Sequence, residues 1–163
     1  MSKKNVLMVC LDGARVDMLD TSNAFRSLLN RGSLFEECIV SSPYTVASIH
    51  SIMTGMYGHR NGVDAYNNMF KLKPNLKTLS EYMNENGYFT HADMLGEAVL
   101  SNRGFDEWTI HDENSLDSSE LLRYHKDIIA NANSKGNFFV FLQYSKIHTG
   151  CVDNVAKKFN DLE

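Results

Sequence analysis

NVLMVCLDG, residues 5–13, carries six consecutive apolar residues and then stops at an acid and a glycine. A continuous, partly β-branched run bounded by a turn signal reads as a strand buried on both faces, the condition of strands in parallel sheets. Asp12 then stands just beyond the strand's carboxyl end. In open α/β sheets that edge is where ligands collect.

Outward from this strand the chain alternates. Residues 21–30 space Phe25, Leu28 and Leu29 helically and stop at Arg31-Gly32. LFEECIV, residues 34–40, reads as a second strand. A helix follows, starting near Thr45 and closing at Gly55. Residues 76–86 form an amphipathic helix ended by Gly87, and residues 88–94 a strand. Residues 119–131 read as a helix, NFFVFLQY at 137–144 as the strongest strand, and residues 152–159 as a last helix. Strands alternating with helices predict an α/β fold with a mainly parallel sheet. The carboxyl-end rule then selects Asp12, Thr45 and His148, after the first, second and last strands, as residues that converge on a site.

The totals narrow the function classes. A chain of 163 residues suits one domain. A net charge of -4 offers no basic field for nucleic acid or an anionic membrane. No apolar run approaches the roughly 20 residues that span a bilayer. The apolar stretch after Lys3 and Lys4 is too short for a signal-peptide core, so a cytoplasmic protein is expected. Cys10, Cys38 and Cys151 are odd in number and widely spaced, which fits neither a disulfide framework nor a zinc motif. Cys10 and Cys38 sit in apolar runs and read as buried thiols of a reducing compartment.

Thr45 has two readings. As an N-cap its hydroxyl would accept a bond from an amide two or three residues on. As a nucleophile it would use the same place differently, because a helix N-terminus favours phosphate or sulfate and holds the hydroxyl beside the anion. A bound metal could help remove its proton, and Asp12 is a suitable hard ligand.

The segments LDGARVDML, residues 11–19, and SPYTVASIHSIMTGMYGHRNGV, residues 42–63, resemble the sulfatase and alkaline-phosphatase-like superfamily. Asp12, Arg15 and Asp17, then Thr45, then Thr54-Gly55, Tyr57, His59, Gly62 and Val63 carry the likeness. FFVFLQYSKIHTG, residues 138–150, resembles the later strand that delivers a histidine, here His148. The resemblance implies an alkaline-phosphatase-like α/β sandwich and a divalent ion held by Asp12 and Thr45. It makes Thr45 the nucleophile and His148 a group acting on the transferred anion, by acid catalysis or by binding. Arg15, His50 and His59 are its candidate substrate-binding residues. The substrate class is a small-molecule, glycan-linked or lipid-linked sulfate or phosphate ester.

Departures from the family pattern qualify the chemistry. Formylglycine sulfatases place a Cys-x-Pro-x-Arg pattern where this chain has Thr45, Ala47 and Ile49, so no formylglycine is expected. Thr45 resembles the branch that phosphorylates a threonine in passing. His50 falls one residue after the histidine of some such members, about 100° further round the helix. Gly13 replaces the second acid of calcium-dependent relatives, which favours Mn, Zn or Mg over Ca. The superfamily's late Asp-His-Gly or Asp-Asn-Gly segment does not follow His148. Residues 1–163 therefore read as one partial domain, and an exposed apolar face on it would favour self-association. The alternative function is a catalytically incomplete module that binds an anion or packs on a partner.

Other polar residues take simpler readings. Arg15 contacts the anion or pairs with Asp17, and His59 shapes a turn. His91 reads as a satisfied core or edge histidine, and His111 and His125 as solvent-facing. The acidic run at 112–120 reads as a loop capping a helix.

Overall fold

The computed structural model describes residues 3–17, 22–64 and 71–148. The expected helix at 152–159, and Cys151, lie outside the described residues. Four strands, β1 (Val6–Leu11), β2 (Phe89–Met94), β3 (Glu107–Ile110) and β4 (Phe138–Tyr144), form one sheet in the order β1-β4-β2-β3. β2 pairs in parallel with β4, Ala92 opposite Phe141, and with β3, Asp93 opposite Thr109. Among the described residues five helices accompany them: α1 (Asn23–Leu29), α2 (Thr45–Thr54), α3 (Gly58–Asn61), α4 (Leu79–Glu85) and α5 (Ser118–Lys135). This is the α/β architecture the alternating pattern predicts. The chain divides into two compact units, residues 1–10 with 41–144, and residues 11–40 with 145–163.

The first unit holds the sheet and its two cores. Side chains alternate across a strand, so β2 sends Ala92 and Met94 one way and Phe89, His91 and Asp93 the other. Ala92 and Met94 pack with Ile49 and Met53 of α2 and with Phe139 and Phe141 of β4. On the opposite face Ile128 and Ala132 of α5 meet Phe138, Val140 and Leu142, with Phe89 against them. α5 begins at Asp117, which accepts from the amides of Ser119 and Glu120 while Glu120 reaches back, a complete capping box. The acidic run thus caps a helix as its sequence suggests. α2 closes on Gly55, whose φ of 66° is the left-handed turn that a side chain would strain.

Two strand expectations need correction. Residues 34–40 form no strand; Phe35 is 80% and Ile39 94% exposed. Glu36 and Glu37 are adjacent, so a strand here would carry a carboxylate on each face and bury neither. The sheet instead includes β3 beside β2, and its four residues, EWTI, are too few to show a period. Cys38 is accordingly exposed, and Cys10 is half-buried. β1 is a strand, but as an edge strand it is not buried on both faces. Leu7 and Val9 are each 46% exposed, while Met8 and Cys10 lie against the core.

Candidate functional site

Thr45 is the first residue of α2 and not its cap. Tyr44 holds the cap position in an extended conformation and makes no side-chain capping bond; its hydroxyl donates instead to the Asp64 carbonyl at 2.7 Å. No side chain at the cap therefore competes for the first-turn amides of this ten-residue helix. One turn on, His50 is buried, with Nδ1 donating to the Val46 carbonyl at 2.8 Å. Val46 and His50 line a cavity of about 290 Å³ together with Lys71, Glu97, Ser101 and Arg103. Arg103 is anchored there by the Lys73 and Leu76 carbonyls and by Glu81.

Burial lowers the His50 pKa below its ordinary 6.5, and the Val46 carbonyl only partly opposes that. The unfolded chain then binds a proton at higher pH than the folded chain does. Stability from a neutral His50 is complete above 6.5 and falls as the pH drops through the lowered folded value. His50→Gln should flatten this acid-side loss in urea midpoints measured from neutral to mildly acidic pH; an unchanged slope would refute the assignment.

The Thr54–Val63 motif is a built turn. Asn61, fully buried, donates through Nδ2 to Thr54 Oγ1 and the Met56 carbonyl, and its Oδ1 accepts from the Val63 amide at 2.8 Å. His59 is exposed and stacks on Tyr57.

Asp12, Arg15 and His148 belong to the second unit. Gly13 has φ 80°, and a Cβ added there would lie 2.8 Å from the Cβ of His148. The turn after β1 and the segment after β4 thus meet at a glycine, the approach that the missing side chain permits. His148 is exposed. Arg15 grips Asp17 with two bonds, of 2.9 and 2.7 Å, on the surface.

The densest constellation lies where no site was expected. Asp93, His111 and His125 are all buried, which corrects the solvent-facing reading of the two histidines. Asp93 Oδ2 lies 2.5 Å from His111 Nδ1 and 2.7 Å from His125 Nε2. Asp93 Oδ1 accepts from Thr109 Oγ1 at 2.6 Å, and His91 Nε2 contacts the same hydroxyl at 3.1 Å. His125 Nδ1 meets the Tyr144 hydroxyl at 2.5 Å. Burial alone would raise the Asp93 carboxyl, but the close imidazoles of His111 and His125 and the Thr109 hydroxyl outweigh it and hold the group well below the usual carboxylate range. His111 is pushed the other way. Burial would lower it, yet Asp93 and Glu113 raise it overall. His91 is lowered, chiefly by burial, against the pull of Glu107. The carboxyl-end rule could have found Asp93, at the end of the expected strand at 88–94, whereas His111 follows β3, which shows no period. His125 shares an apolar stripe with Leu121, Ile128 and Ala132, and that spacing marks it as inward-facing.

The sulfatase family profile matches residues 4–162 of the chain. The chain belongs to the sulfatase family. Among solved structures it is similar to BT4656, determined in complex with its substrate D-glucosamine-2-N,6-O-disulfate, with 15% identity and a TM-score of 0.67. The match covers 87% of this chain and 34% of that one, so the chain spans about a third of that structure's length. No curated protein matches the sequence. The family places the parallel sheet and the α2 helix in a sulfatase-like framework. Among the described residues no helix is long and apolar enough to cross a membrane.

Proposed function

We propose that this sulfatase-family chain serves the hydrolysis or transfer of a sulfate or phosphate ester, with the Thr45 hydroxyl as nucleophile. The observation that carries the reading is the place of Thr45 as the first residue of the ten-residue helix α2, the end of a helix that favours an anion. Asp12 and Thr45 offer a carboxylate and a hydroxyl, hard oxygen donors suited to Mg, Mn or Zn. When bound, such an ion would ease deprotonation of the hydroxyl and offset charge on the ester oxygens.

Thr45 Oγ would attack sulfur or phosphorus in line, forming one bond as the bond to the departing alcohol breaks. The departing oxygen would take its proton from His148, whose exposed imidazole suits that exchange. Water or a second alcohol would then release the group from Thr45. His50, on the wall of the 290 Å³ cavity, would position the substrate. Arg15 and His59 would serve its anionic end, Arg15 after releasing Asp17. A sulfated sugar is the substrate class that the structural neighbour supports.

Residues 1–163 are read as one partial domain in the cytoplasm, in which Asp12 and Thr45 give two of the four or more donors a divalent site needs. The exposed apolar residues of β1 support self-association there. The alternative is an anion-binding module without turnover. The test is intact mass after incubation with aryl sulfate or aryl phosphate and Mn, Mg or Zn. A transferred group on the wild type and none on Thr45→Ala supports the nucleophile. Stabilisation by free sulfate or phosphate with no transferred group favours the module.

A further inference from the structure

We propose that Asp93, His111 and His125 form a structural metal centre for a divalent transition ion of the zinc class, with a ligand set that does not include Thr45. Two imidazoles and a carboxylate are the donors such ions take. Their ligand atoms all lie within 4.8 Å of one another. A tetrahedral ion with bonds of about 2.0–2.1 Å sets its donors about 3.4 Å apart; the two imidazole nitrogens lie 2.5 and 2.7 Å from Asp93 Oδ2, so an ion would part each from the carboxylate by under about 1 Å.

The surroundings are those of a ligand set. Metal-binding side chains have their remaining polar atom held by a neighbour, which fixes tautomer and orientation. Here two of the three do. Asp93 Oδ1 is held by Thr109 and His125 Nδ1 by Tyr144, while His111 Nε2 lies 3.7 Å from the Glu113 carboxylate. His111 itself is the telling residue. Its side chain is 2% exposed, and Nδ1 sits 2.5 Å from Asp93 Oδ2, yet neither ring nitrogen makes a well-directed hydrogen bond. An ion shared by His111 and Asp93 would give Nδ1 a partner.

A route for the ion exists. His111 and Tyr124 line a cavity of about 480 Å³ whose walls include Asp112, Glu120 and Asp127, an acidic approach for a cation. Burial of all three ligands leaves no room at the ion for an ester, so its work is structural. It would tie together the ends of β2 and β3 and the middle of α5.

The test uses the full chain, stripped with a chelator and reloaded with zinc alone. One equivalent should survive desalting and raise the melting temperature, with two imidazole ligands seen by X-ray absorption at the zinc edge. Thr45→Ala should keep that equivalent and His125→Gln should lose it. Tyr144→Phe should weaken zinc binding by about 10–100-fold. No retained zinc in the wild type, retained zinc without two imidazoles, or equal retention by His125→Gln would each overturn the proposal. The X-ray absorption result needs no variant to fold. None of the readouts needs turnover, so they stand or fall apart from the ester chemistry.

Discussion

Asp93→Ala, in protein kept free of metal by a chelator, should lower unfolding free energy by about 3–5 kcal/mol, the range for stripping one partner from a buried charge network. The magnitude follows from what the carboxylate holds. It is fully buried, and it meets two buried imidazoles, the Thr109 hydroxyl and, at 3.4 Å, the Tyr124 hydroxyl. Alanine would leave His111 and His125 facing each other, their rings in T-shaped contact at 5.1 Å, with the intervening acceptor gone. Asp93→Asn keeps the shape and one acceptor oxygen, so its loss should be the smaller of the two. Urea unfolding of the three proteins measures this. A loss under about 1 kcal/mol for Asp93→Ala, the ordinary cost of a point substitution, would mean that the network contributes little.

The fold was legible where the apolar pattern was long and had a partner to meet. NFFVFLQY needed nothing beyond its own composition, and β4 became the strand between β1 and β2. α2 and α5 showed their ends through Gly55 and through Asp117 with Glu120. Residues 34–40 misled because apolar content was counted without asking which face each side chain would take, and Glu36 and Glu37 spoil both. β3 stayed hidden because four residues carry no usable period, and its pairing with β2 exists only in three dimensions.

The candidate site divides similarly. The Thr45 segment could be read because its Pro, Thr, Gly and Asn punctuation is local, and Asn61 and Gly55 now show what that punctuation builds. The Asp93 cluster draws on β2, the segment after β3, α5 and the end of β4. No spacing rule links positions 93, 111, 125 and 144 until the parallel sheet sets the strand ends side by side. The residues were individually visible, with His125 on the α5 stripe and Asp93 on the α5 side of β2. His111 and His125 stand in polar company along the chain, which by itself is also the company of a solvent-facing residue. Buried polar groups gather in company for the opposite reason, because each needs a partner.

Thr45→Ala should reduce kcat/KM for an activated sulfate or phosphate ester by on the order of 10⁴-fold or more, the scale seen when a covalent nucleophile is removed. The first residue of a helix tolerates alanine well, and Tyr44 rather than Thr45 occupies the cap, so folding should change little. Thr45→Ser keeps the hydroxyl and should retain most of the rate. The three proteins together separate roles that a single variant would confuse. A cap or packing role would lower stability in Thr45→Ala and leave the rate of the folded fraction intact. A role in binding alone would raise KM with kcat unchanged, since it would act equally on ground and transition states. A nucleophile lowers kcat itself, restores it with serine, and takes the transferred group with it when lost. If Thr45→Ala turns over as the wild type does, the attacking group lies elsewhere, and α2 serves only to hold the anion.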